Sequence, residues 1–397
     1  MAQSMDSSFD VIIIGAGISG TATACHLARA GHKVLVIDRF GLAAMGSGWT
    51  LAGVRQSGRH PAELPLARAA VDLWAELDDD LDQQTYYTRK GNLRLARNEQ
   101  EYAQIKAMVE EQSAEGLELS FLPDNPSLRA VAPALAADIP GASFCLSDGH
   151  ADPIATVAAF AAAAQRAGAE FRDGERVTRL LVEQGRIRGV ETERSRYSTH
   201  KVVLTAGIAG TELLAPLGID LPITVRMVTV IRSAPVEPML DQVIGVCGGG
   251  WAGRQEVNGR FRVTSGGQPW HGRMTVNQTS AGARPEVQPP IASLSQVADE
   301  MARLLPGAVE TPVERIWAGL IDMTPDALPV LDAAPDVEGL VLGMGFSGHG
   351  FCLGPITGRI LAALAMGEDS GFDLVPFAAD RFNRATDAAE QEMTLHG

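Results

Sequence analysis

The sequence has few cysteines and no dense group of metal ligands. Its cysteines are scattered, form no Cys-x-x-Cys pair and lie in no cluster with histidine at metal-binding spacing; they are Cys25, Cys145, Cys247 and Cys352. A reduced protein without a bound metal fits this pattern best.

The chain also lacks a long apolar run and an excess of basic residues. No stretch approaches the roughly 20 residues that span a bilayer, and residues 1–9 lack the apolar centre of a signal peptide. The 33 basic and 48 acidic residues give a formal charge of −15. This charge argues against nucleic acid and anionic membranes as partners, because they repel a negative surface. We expect a cytoplasmic protein without membrane insertion.

What the chain does have is length and enough apolar residues for sizeable cores. It contains 397 residues, of which 46% are hydrophobic. A single core rarely grows beyond about 250–300 residues, so two lobes are expected.

The stretch from residue 10 to residue 38 predicts a nucleotide-binding unit. Residues 11–14 and 34–37 are apolar, as in buried parallel strands, and residues 21–30 predict the helix between them. The turn before this helix has the pattern G-x-G-x-x-G and consists of Gly15, Ala16, Gly17, Ile18, Ser19 and Gly20.

This spacing gives each glycine a physical role. Gly15 permits a tight turn, Gly17 lets the backbone approach a pyrophosphate, and Gly20 lets the helix pack closely on the strand. The positive end of the helix dipole then faces the phosphates. Asp38 follows Gly20 by 18 residues and ends the second predicted strand. A carboxylate at this position accepts hydrogen bonds from the ribose of the dinucleotide and would repel a 2′-phosphate. A dinucleotide other than NADP is therefore predicted.

Periodicity and turn residues predict the remaining elements. The glycine-rich residues 41–55 are too irregular for a helix, residues 86–96 form a strand pair that turns at residues 90–92, and residues 122–140 connect the lobes. Residues 221–263 form a largely antiparallel lobe. The other predicted helices cover residues 63–81, 99–112, 154–167, 294–305 and 355–366, and the other predicted strands cover residues 143–146, 201–207, 313–320 and two strands within 175–190.

The glycine pattern occurs twice more. Residues 248–253 precede a hairpin pattern and not a helix, so they predict a turn. Residues 343–348 follow an apolar strand and precede a helix. Because this second strand-turn-helix unit lies at the opposite end of the chain from the first, the termini are expected to fold together, with both helix starts facing one large ligand.

Several motifs together resemble a known family. Their order is similar to that in the FAD-dependent D-amino-acid oxidase superfamily, especially its sarcosine oxidase and glycine oxidase branch. Besides the first glycine turn, the motifs are residues 46–55, 148–153, 204–207, 323–326 and 345–351.

This resemblance implies an α/β fold with a split Rossmann-like FAD-binding domain and an inserted substrate domain on a largely antiparallel sheet. The FAD-binding domain would comprise residues 1–82, 141–219 and 318–397, and the substrate domain residues 83–140 and 220–317.

The resemblance also implies which residues contact the cofactor. The first glycine turn would bind the pyrophosphate, Asp38 with Arg39 would lie at the adenosine, and the C-terminal glycine turn would follow the isoalloxazine edge, where helix N–H groups stabilise the negative charge of reduced flavin. The further residues expected along FAD are Gly46, Ser47, Gly48, Trp49, Leu51, Ala52, Gly53, Val177, Ala206, Gly207, Gly345, Phe346, Ser347, Gly348, His349, Gly350 and Phe351.

The implied reaction is oxidation of a C–N bond in an amino acid or secondary amine. A neutral amine would lose hydride to the flavin, and the imine would hydrolyse. Two alternatives stay open. The chain could be an FAD-dependent 2-hydroxy-acid dehydrogenase of the same fold, or the flavin-bearing subunit of a hetero-oligomeric oxidase that passes electrons to a partner or acceptor.

The sequence departs from the monomeric sarcosine oxidases at two positions. Those relatives attach flavin through a cysteine where this chain has Gly319, which predicts non-covalent FAD. They also have a lysine that helps to bind the substrate carboxylate where this chain has Cys352. Arg55 matches the family's carboxylate-binding arginine. Either Arg55 would bind the substrate carboxylate alone, or the substrate differs. The remaining candidates for catalytic contacts are His349 and Arg254, the latter in the lobe expected to cover the flavin.

Overall fold

The computed structural model describes residues 7–279 and 282–383. Predictions about residues 1–6 of the polar N-terminal stretch and about residues 384–397 lie outside the described residues.

The fold is mixed α/β, as predicted. In the described part the strands are β1 Ser7–Ser8, β2 Val11–Ile14, β3 Val34–Asp38, β4 Gly53–Val54, β5 Asn92–Leu95, β6 Ser120–Leu122, β7 Ala142–Cys145, β8 Gly149–His150, β9 Glu170–Asp173, β10 Val177–Glu183, β11 Arg186–Thr192, β12 Arg196–Ser198, β13 Val202–Leu204, β14 Thr224–Pro235, β15 Val243–Val246, β16 Trp251–Gln255, β17 Arg260–Ser265, β18 Gln268–Pro269, β19 Thr275–Thr279, β20 Gly282–Glu286, β21 Val313–Met323, β22 Val330–Ala333 and β23 Leu340–Met344.

Helices account for most of the remaining regular structure. Asp152 caps the helix that begins at Pro153, because its carboxylate accepts hydrogen bonds from the N–H groups of Ile154 and Ala155. No helix in the described ranges is long and apolar enough to cross a membrane. The α-helices are α1 Ile18–Arg29, α2 Gly46–Trp49, α3 Leu64–Leu81, α4 Glu99–Ala114, α5 Asn125–Val131, α6 Pro153–Arg166, α7 Gly210–Leu214, α8 Ile291–Leu304 and α9 Gly350–Met366.

A six-stranded sheet joins the two ends of the chain. Its order is β22-β23-β13-β2-β3-β9, and all neighbours are parallel except β22 and β23. The near-continuous apolar strands follow from burial on both faces. Val11 and Ile13 face a core formed with α1, α3, α6 and α9, and Ile12 and Ile14 face the smaller sheet β1-β12-β11-β10. The prediction that the two strand-turn-helix units fold together is confirmed, because their strands β2 and β23 lie in this one sheet.

The second large sheet is mainly antiparallel. It has the order β18-β14-β17-β16-β15-β5-β7-β6, with β21 paired to β14. Because side chains alternate along a strand, its two faces differ. Ile231, Phe261 and Val263 lie in an apolar core that includes residues of α8. Val230 and Thr264, paired across β14 and β17, line a cavity on the other face.

The predicted strand pair in residues 86–96 is wrong. Only Asn92–Leu95 is a strand, and it pairs with β15 and β7. Thr88 instead exchanges backbone hydrogen bonds of 2.7 and 3.0 Å with His150. Gly91 does turn the chain, with φ of +98°, but long-range pairing determines where the preceding segment lies.

Residues 122–140 are not a connection between lobes. They contain α5, and Leu128, Leu135 and Ile139 are buried in the core beneath the nine-stranded sheet. The proline content indicated a linker, but the apolar residues between the prolines make this segment part of the core.

Two helix predictions also need correction. The connection over residues 41–55 contains one helical turn, α2, in which the N–H groups of Gly48 and Trp49 donate to the carbonyl of Met45. Helix α9 begins at Gly350, five residues before Pro355, which lies inside it. Because proline is common in the first turn of helices, Pro355 was expected at the start of α9, and the predicted start was therefore too late.

Candidate functional site

One cavity extends from the carboxyl ends of β2 and β13 to the open face of the nine-stranded sheet. Residues from the first glycine turn, α2, the start of α9 and strands β5, β14 and β17 share its wall. The cofactor-binding candidates that line it are Gly15, Gly17, Ile18, Ser19, Asp38, Arg39, Gly46, Ser47, Trp49, Leu51, Gly53, Val177, Ala206, Gly207, Phe346, Gly348, Gly350 and Phe351; those that do not are Ala16, Gly20, Gly48, Ala52, Gly345, Ser347 and His349.

The start of α1 forms a backbone cradle at one end of the cavity. Its N-cap residue, Gly17, contributes no side-chain cap, and the first turn has no acidic residue. The N–H of Ile18 donates to the hydroxyl of Ser47 at 3.0 Å. Gly15 has φ of +112°, and an added Cβ would overlap the carbonyl of Thr205. This arrangement suits an anionic phosphate, which such N–H groups and the helix dipole attract.

Asp38 is anchored beside this cradle. Its carboxylate accepts hydrogen bonds from the N–H groups of Ala16 at 2.8 Å, Phe40 at 2.7 Å and Gly41 at 2.8 Å. A carboxylate offers about four acceptor positions, so one position is left for a ligand hydroxyl. Arg39 also lines the cavity, and burial lowers its pKa.

The glycine turn before α9 forms the wall farther along the cavity. Gly345 donates its N–H to the Asp322 carboxylate at 2.7 Å, and Ser347 donates its N–H to the Asp322 carbonyl at 2.9 Å. The Ser347 hydroxyl lies 3.1 Å from that of Thr324, behind the wall. Burial raises the pKa of Asp322, which lines the cavity, to about 6.

Three buried arginines line the far part of the cavity, which we call the arginine end: Arg55, Arg59 and Arg94. Arg55 donates through one terminal nitrogen to the carbonyl of Ser57 at 2.6 Å. Burial, together with the charges of the other two arginines, lowers the pKa of Arg55 well below its ordinary value. Burial also lowers the pKa of Arg94 to about 10.

His349 lies behind this wall against Glu63. Its Nδ1 is 3.1 Å from one Glu63 oxygen and 3.0 Å from the other. The pKa of His349 is lowered to about 4, first by burial and then by Arg59. That of Glu63 is lowered to about 2: burial opposes this shift, and the charges of His349 and Arg59 outweigh it. At neutral pH the contact is therefore a hydrogen bond from the neutral imidazole to a carboxylate.

Two further candidates for catalytic contacts do not line the cavity. Cys352 is buried against the Arg55 backbone, where its Sγ lies 3.3 Å from both the nitrogen and the oxygen. Burial raises the pKa of this thiol. Arg254 donates through Nε to the carbonyl of Leu51 at 2.6 Å and lies 2.7 Å from His150 Nδ1. Its visible role is to hold the segment around Leu51.

Several residues of the site were not predicted from the sequence. Glu63 and Arg59 are brought to the site by tertiary packing, which no local pattern indicates. Asn92 and Arg94 could have been found, because polar residues at alternate positions of a strand, with Leu93 and Leu95 in the core, indicate one polar face.

The residues present fit a flavin dinucleotide. A glycine cradle at a helix start, an anchored carboxylate at a strand end and a second helix start share one continuous wall. A mononucleotide would occupy the glycine cradle but would not account for the cavity wall between the start of α9 and the arginine end. The fold and the cavity thus define a dinucleotide-binding α/β protein.

Comparison with known proteins gives the family. Residues 10–364 match the family DAO, FAD dependent oxidoreductase, and the chain belongs to this family. It is therefore an FAD-dependent oxidoreductase. It is 28% identical to peroxisomal sarcosine oxidase of Homo sapiens, over 94% of this chain and 96% of that protein. It is 24% identical to sarcosine oxidase subunit beta of Rhizobium meliloti, over 95% and 89%. The fold is similar to that of glycine oxidase from Geobacillus kaustophilus, with a TM-score of 0.85, 22% identity, and coverage of 94% of this chain and 99% of that one.

Proposed function

We propose that this enzyme oxidises the C–N bond of an amino acid or secondary amine. Bound FAD supplies the hydride acceptor, and the imine product hydrolyses in water. The observation that carries the proposal is the continuity of the cavity wall from the cradle of Gly15 and Gly17 to the buried guanidinium of Arg55. A substrate carboxylate held at Arg55 would lie at the end of the cavity opposite the phosphates.

The chain's residues would then bind and orient both ligands. The start of α1 and Ser47 would hold the pyrophosphate, and Asp38 the adenosine ribose. The N–H groups around Gly348 and Gly350 would face the flavin ring and favour its reduced, anionic form. Arg55 would fix the substrate carboxylate, which leaves the α-carbon oriented toward the ring.

The division into domains follows from the same assignment. We infer an FAD-binding domain of residues 1–82, 141–219 and 318–397 and an inserted substrate domain of residues 83–140 and 220–317. In support, β2, β3, β9, β13, β22 and β23 of the six-stranded sheet all come from the first set. Because β7 and the whole of β21 pair in the nine-stranded sheet, the boundaries near residues 141 and 318 are better placed after Cys145 and Met323.

We further propose that FAD is held without a covalent bond. Gly319 lines the cavity, and a Cβ there would lie 3.1 Å from Cβ of Trp49, so Trp49 fills the space beside it. None of the four cysteines, all within the described part of the chain, lines the cavity. Acid precipitation tests this: the flavin should remain in the supernatant, and flavin in the protein pellet would contradict the proposal.

An anaerobic reduction panel tests the reaction. N-methyl amino acids, cyclic imino acids and both enantiomers of common amino acids are mixed with the oxidised holoenzyme, and flavin bleaching is recorded. We expect bleaching by at least one amine class and none by 2-hydroxy acids. Bleaching by hydroxy acids alone would instead identify a 2-hydroxy-acid dehydrogenase.

A partner subunit is a second possibility, supported by the likeness to a protein named as subunit beta of sarcosine oxidase. Turnover by the purified chain with oxygen or an artificial acceptor would show that it acts alone. Flavin that is reduced by substrate but reoxidised only when cell extract is added would support a separate partner.

A further inference from the structure

The charges around the arginine end are arranged asymmetrically. Arg55, Arg59 and Arg94 line the cavity, whereas the nearby carboxylates of Glu63 and Asp148 are fully buried and do not. The other acidic residues on the cavity wall are Asp38, Glu175 and Glu212 near the first glycine turn and Asp322 near the second. The arginine end therefore presents positive charge to a ligand.

The two buried carboxylates are already engaged by the protein. Glu63 lies 3.4 Å from Arg59 and hydrogen-bonds His349. Asp148 accepts hydrogen bonds from the Ser57 hydroxyl at 2.5 Å and the Gln56 N–H at 2.8 Å. These contacts fix the loop that carries the arginines, and the Asp148 charge attracts Arg55 and Arg94 from behind the cavity wall.

Arg55 and Arg94 lie close together. A Cβ at Gly58 would be 2.9 Å from a terminal nitrogen of Arg94 and 3.3 Å from one of Arg55. Within residues 7–279 and 282–383, no carboxylate lies within 4.0 Å of the Arg55 guanidinium. A monocarboxylate has two oxygens and fits the fork of one guanidinium group, so a second guanidinium beside it can take another acid group.

We propose that the substrate carries two carboxylates, one bound by Arg55 and the other by Arg94 together with Arg59. This inference rests on the proposed amine oxidation and names its substrate class: an amino-dicarboxylic acid, or a secondary amine with an acid group on each substituent. The Asn92 amide extends the polar wall beside Arg94 on the same strand face. Val228 and Val230 line the cavity on β14 and offer no partner to a cationic side group.

Equilibrium binding of inert acids to the oxidised holoenzyme tests the proposal, with the flavin absorbance as the signal. Succinate is compared with butyrate, and glutarate with valerate, because each pair has the same chain length. One additional charged hydrogen-bonding contact corresponds to about tenfold or more in affinity. We expect this advantage for the dicarboxylate of at least one pair. Equal affinity within both pairs would overturn the proposal.

The variant Arg94→Met assigns the second carboxylate site. It should abolish the dicarboxylate advantage while monocarboxylate affinity changes by at most about threefold, since one charged contact is lost only in the first case. Arg89→Met, a change at an exposed arginine outside the cavity, should retain the advantage. If Arg94→Met does not retain FAD, Arg94→Lys replaces it: the lysine keeps the charge without the bidentate fork and should reduce the advantage. An unchanged advantage in the folded variant would refute this assignment.

The acid-binding experiment and the anaerobic amine panel test different claims and can fail independently. Selective dicarboxylate binding without bleaching by any amine would retain this site and reject the proposed reaction. Bleaching by monocarboxylic amines with equal binding of the paired acids would retain the reaction and reject the second carboxylate site.

Discussion

His349 Nδ1 donates a hydrogen bond of 3.1 Å to the carboxylate of Glu63, a residue 286 positions away in the chain. Glu63 is the N-cap residue of α3 and His349 that of α9, so this contact joins two helix starts behind the cavity wall. Arg59 is the second partner of Glu63, at 3.4 Å. One carboxylate thus supports the loop of the arginine end and the glycine turn before α9.

Glu63→Gln should destabilise the protein strongly, because it leaves Arg59 buried without its counter-ion. Removing one member of a buried ion pair costs about 3–5 kcal/mol. Urea unfolding of the holoenzyme at neutral pH measures the change. Glu314→Gln provides the control, since Glu314 also bonds two arginines but on the surface, and it should change the midpoint little. Equal shifts in both variants would show that Glu63 has no special role.

His349 should make the enzyme less stable in mild acid. Its folded pKa of about 4 is below the ordinary 6.5, so the unfolded chain binds the proton more readily as pH falls. This contribution to stability is present above pH 6.5 and is lost as the pH falls toward 4. Glu63, whose pKa is lowered from 4.5 to about 2, adds a loss that begins only below 4.5.

Unfolding midpoints at pH 7.5 and pH 5.0, with excess FAD, measure this dependence. His349→Asn, which is uncharged at both pH values and keeps an N–H donor for Glu63, should lose less stability between the two pH values than the wild type. An equal loss in both proteins would assign the acid sensitivity to other groups.

Arg55→Met should weaken substrate binding more than it slows flavin reduction. The charged contact to the substrate carboxylate would be lost, which corresponds to about tenfold to a hundredfold in the half-saturating substrate concentration. Anaerobic stopped-flow reduction across substrate concentrations separates this value from the limiting rate. Arg55→Lys should recover part of the affinity. A changed limiting rate with unchanged half-saturation would place Arg55 outside the carboxylate site.

Two buried arginines hold the cavity-lining segment around Thr50 and Leu51. Arg262 donates to the Thr50 carbonyl at 2.8 Å and Arg254 to the Leu51 carbonyl at 2.6 Å. Both arginines share Glu256 as counter-ion, at 2.7 and 3.6 Å. The sequence placed Arg254 among the catalytic candidates. In the structure its hydrogen bond to the Leu51 carbonyl positions the chain around Leu51.

Glu256→Gln should therefore weaken FAD binding. The two guanidinium groups would repel each other without their shared carboxylate and would hold the segment less firmly. We expect the dissociation constant of FAD to rise about tenfold, the loss of roughly 1.4 kcal/mol, in a fluorescence titration of the apoprotein. Glu237→Gln, on the exposed loop before β15, should have no effect. If both variants bind FAD like the wild type, this network does not position the segment.

The sequence predicted the parts of the fold that depend on local pattern. The strand Val11–Ile14, the turn at Gly15 and the meeting of the chain's two ends in one sheet required only apolar runs and glycine spacing. The partner of Thr88 and the burial of residues 122–140 required knowledge of which distant segments pack together. The same applies to the site: Arg55 was expected from a motif, whereas Glu63 becomes a partner of His349 only through packing of α3 on α9.

The close packing of α1 on α9 gives a last prediction. A Cβ at Gly358 would lie 2.7 Å from the carbonyl carbon of Ala22, closer than atoms can pack without a shift of one helix. Helix propensity alone favours alanine over glycine by about 1 kcal/mol, but overpacking costs about 1–3 kcal/mol or more. Since both helix starts line the cavity, Gly358→Ala should lower the thermal midpoint and also weaken FAD binding. Gly307→Ala, where a Cβ meets no atom within 4 Å, should leave both unchanged. A stabilised Gly358→Ala protein would mean that helix propensity outweighs this contact.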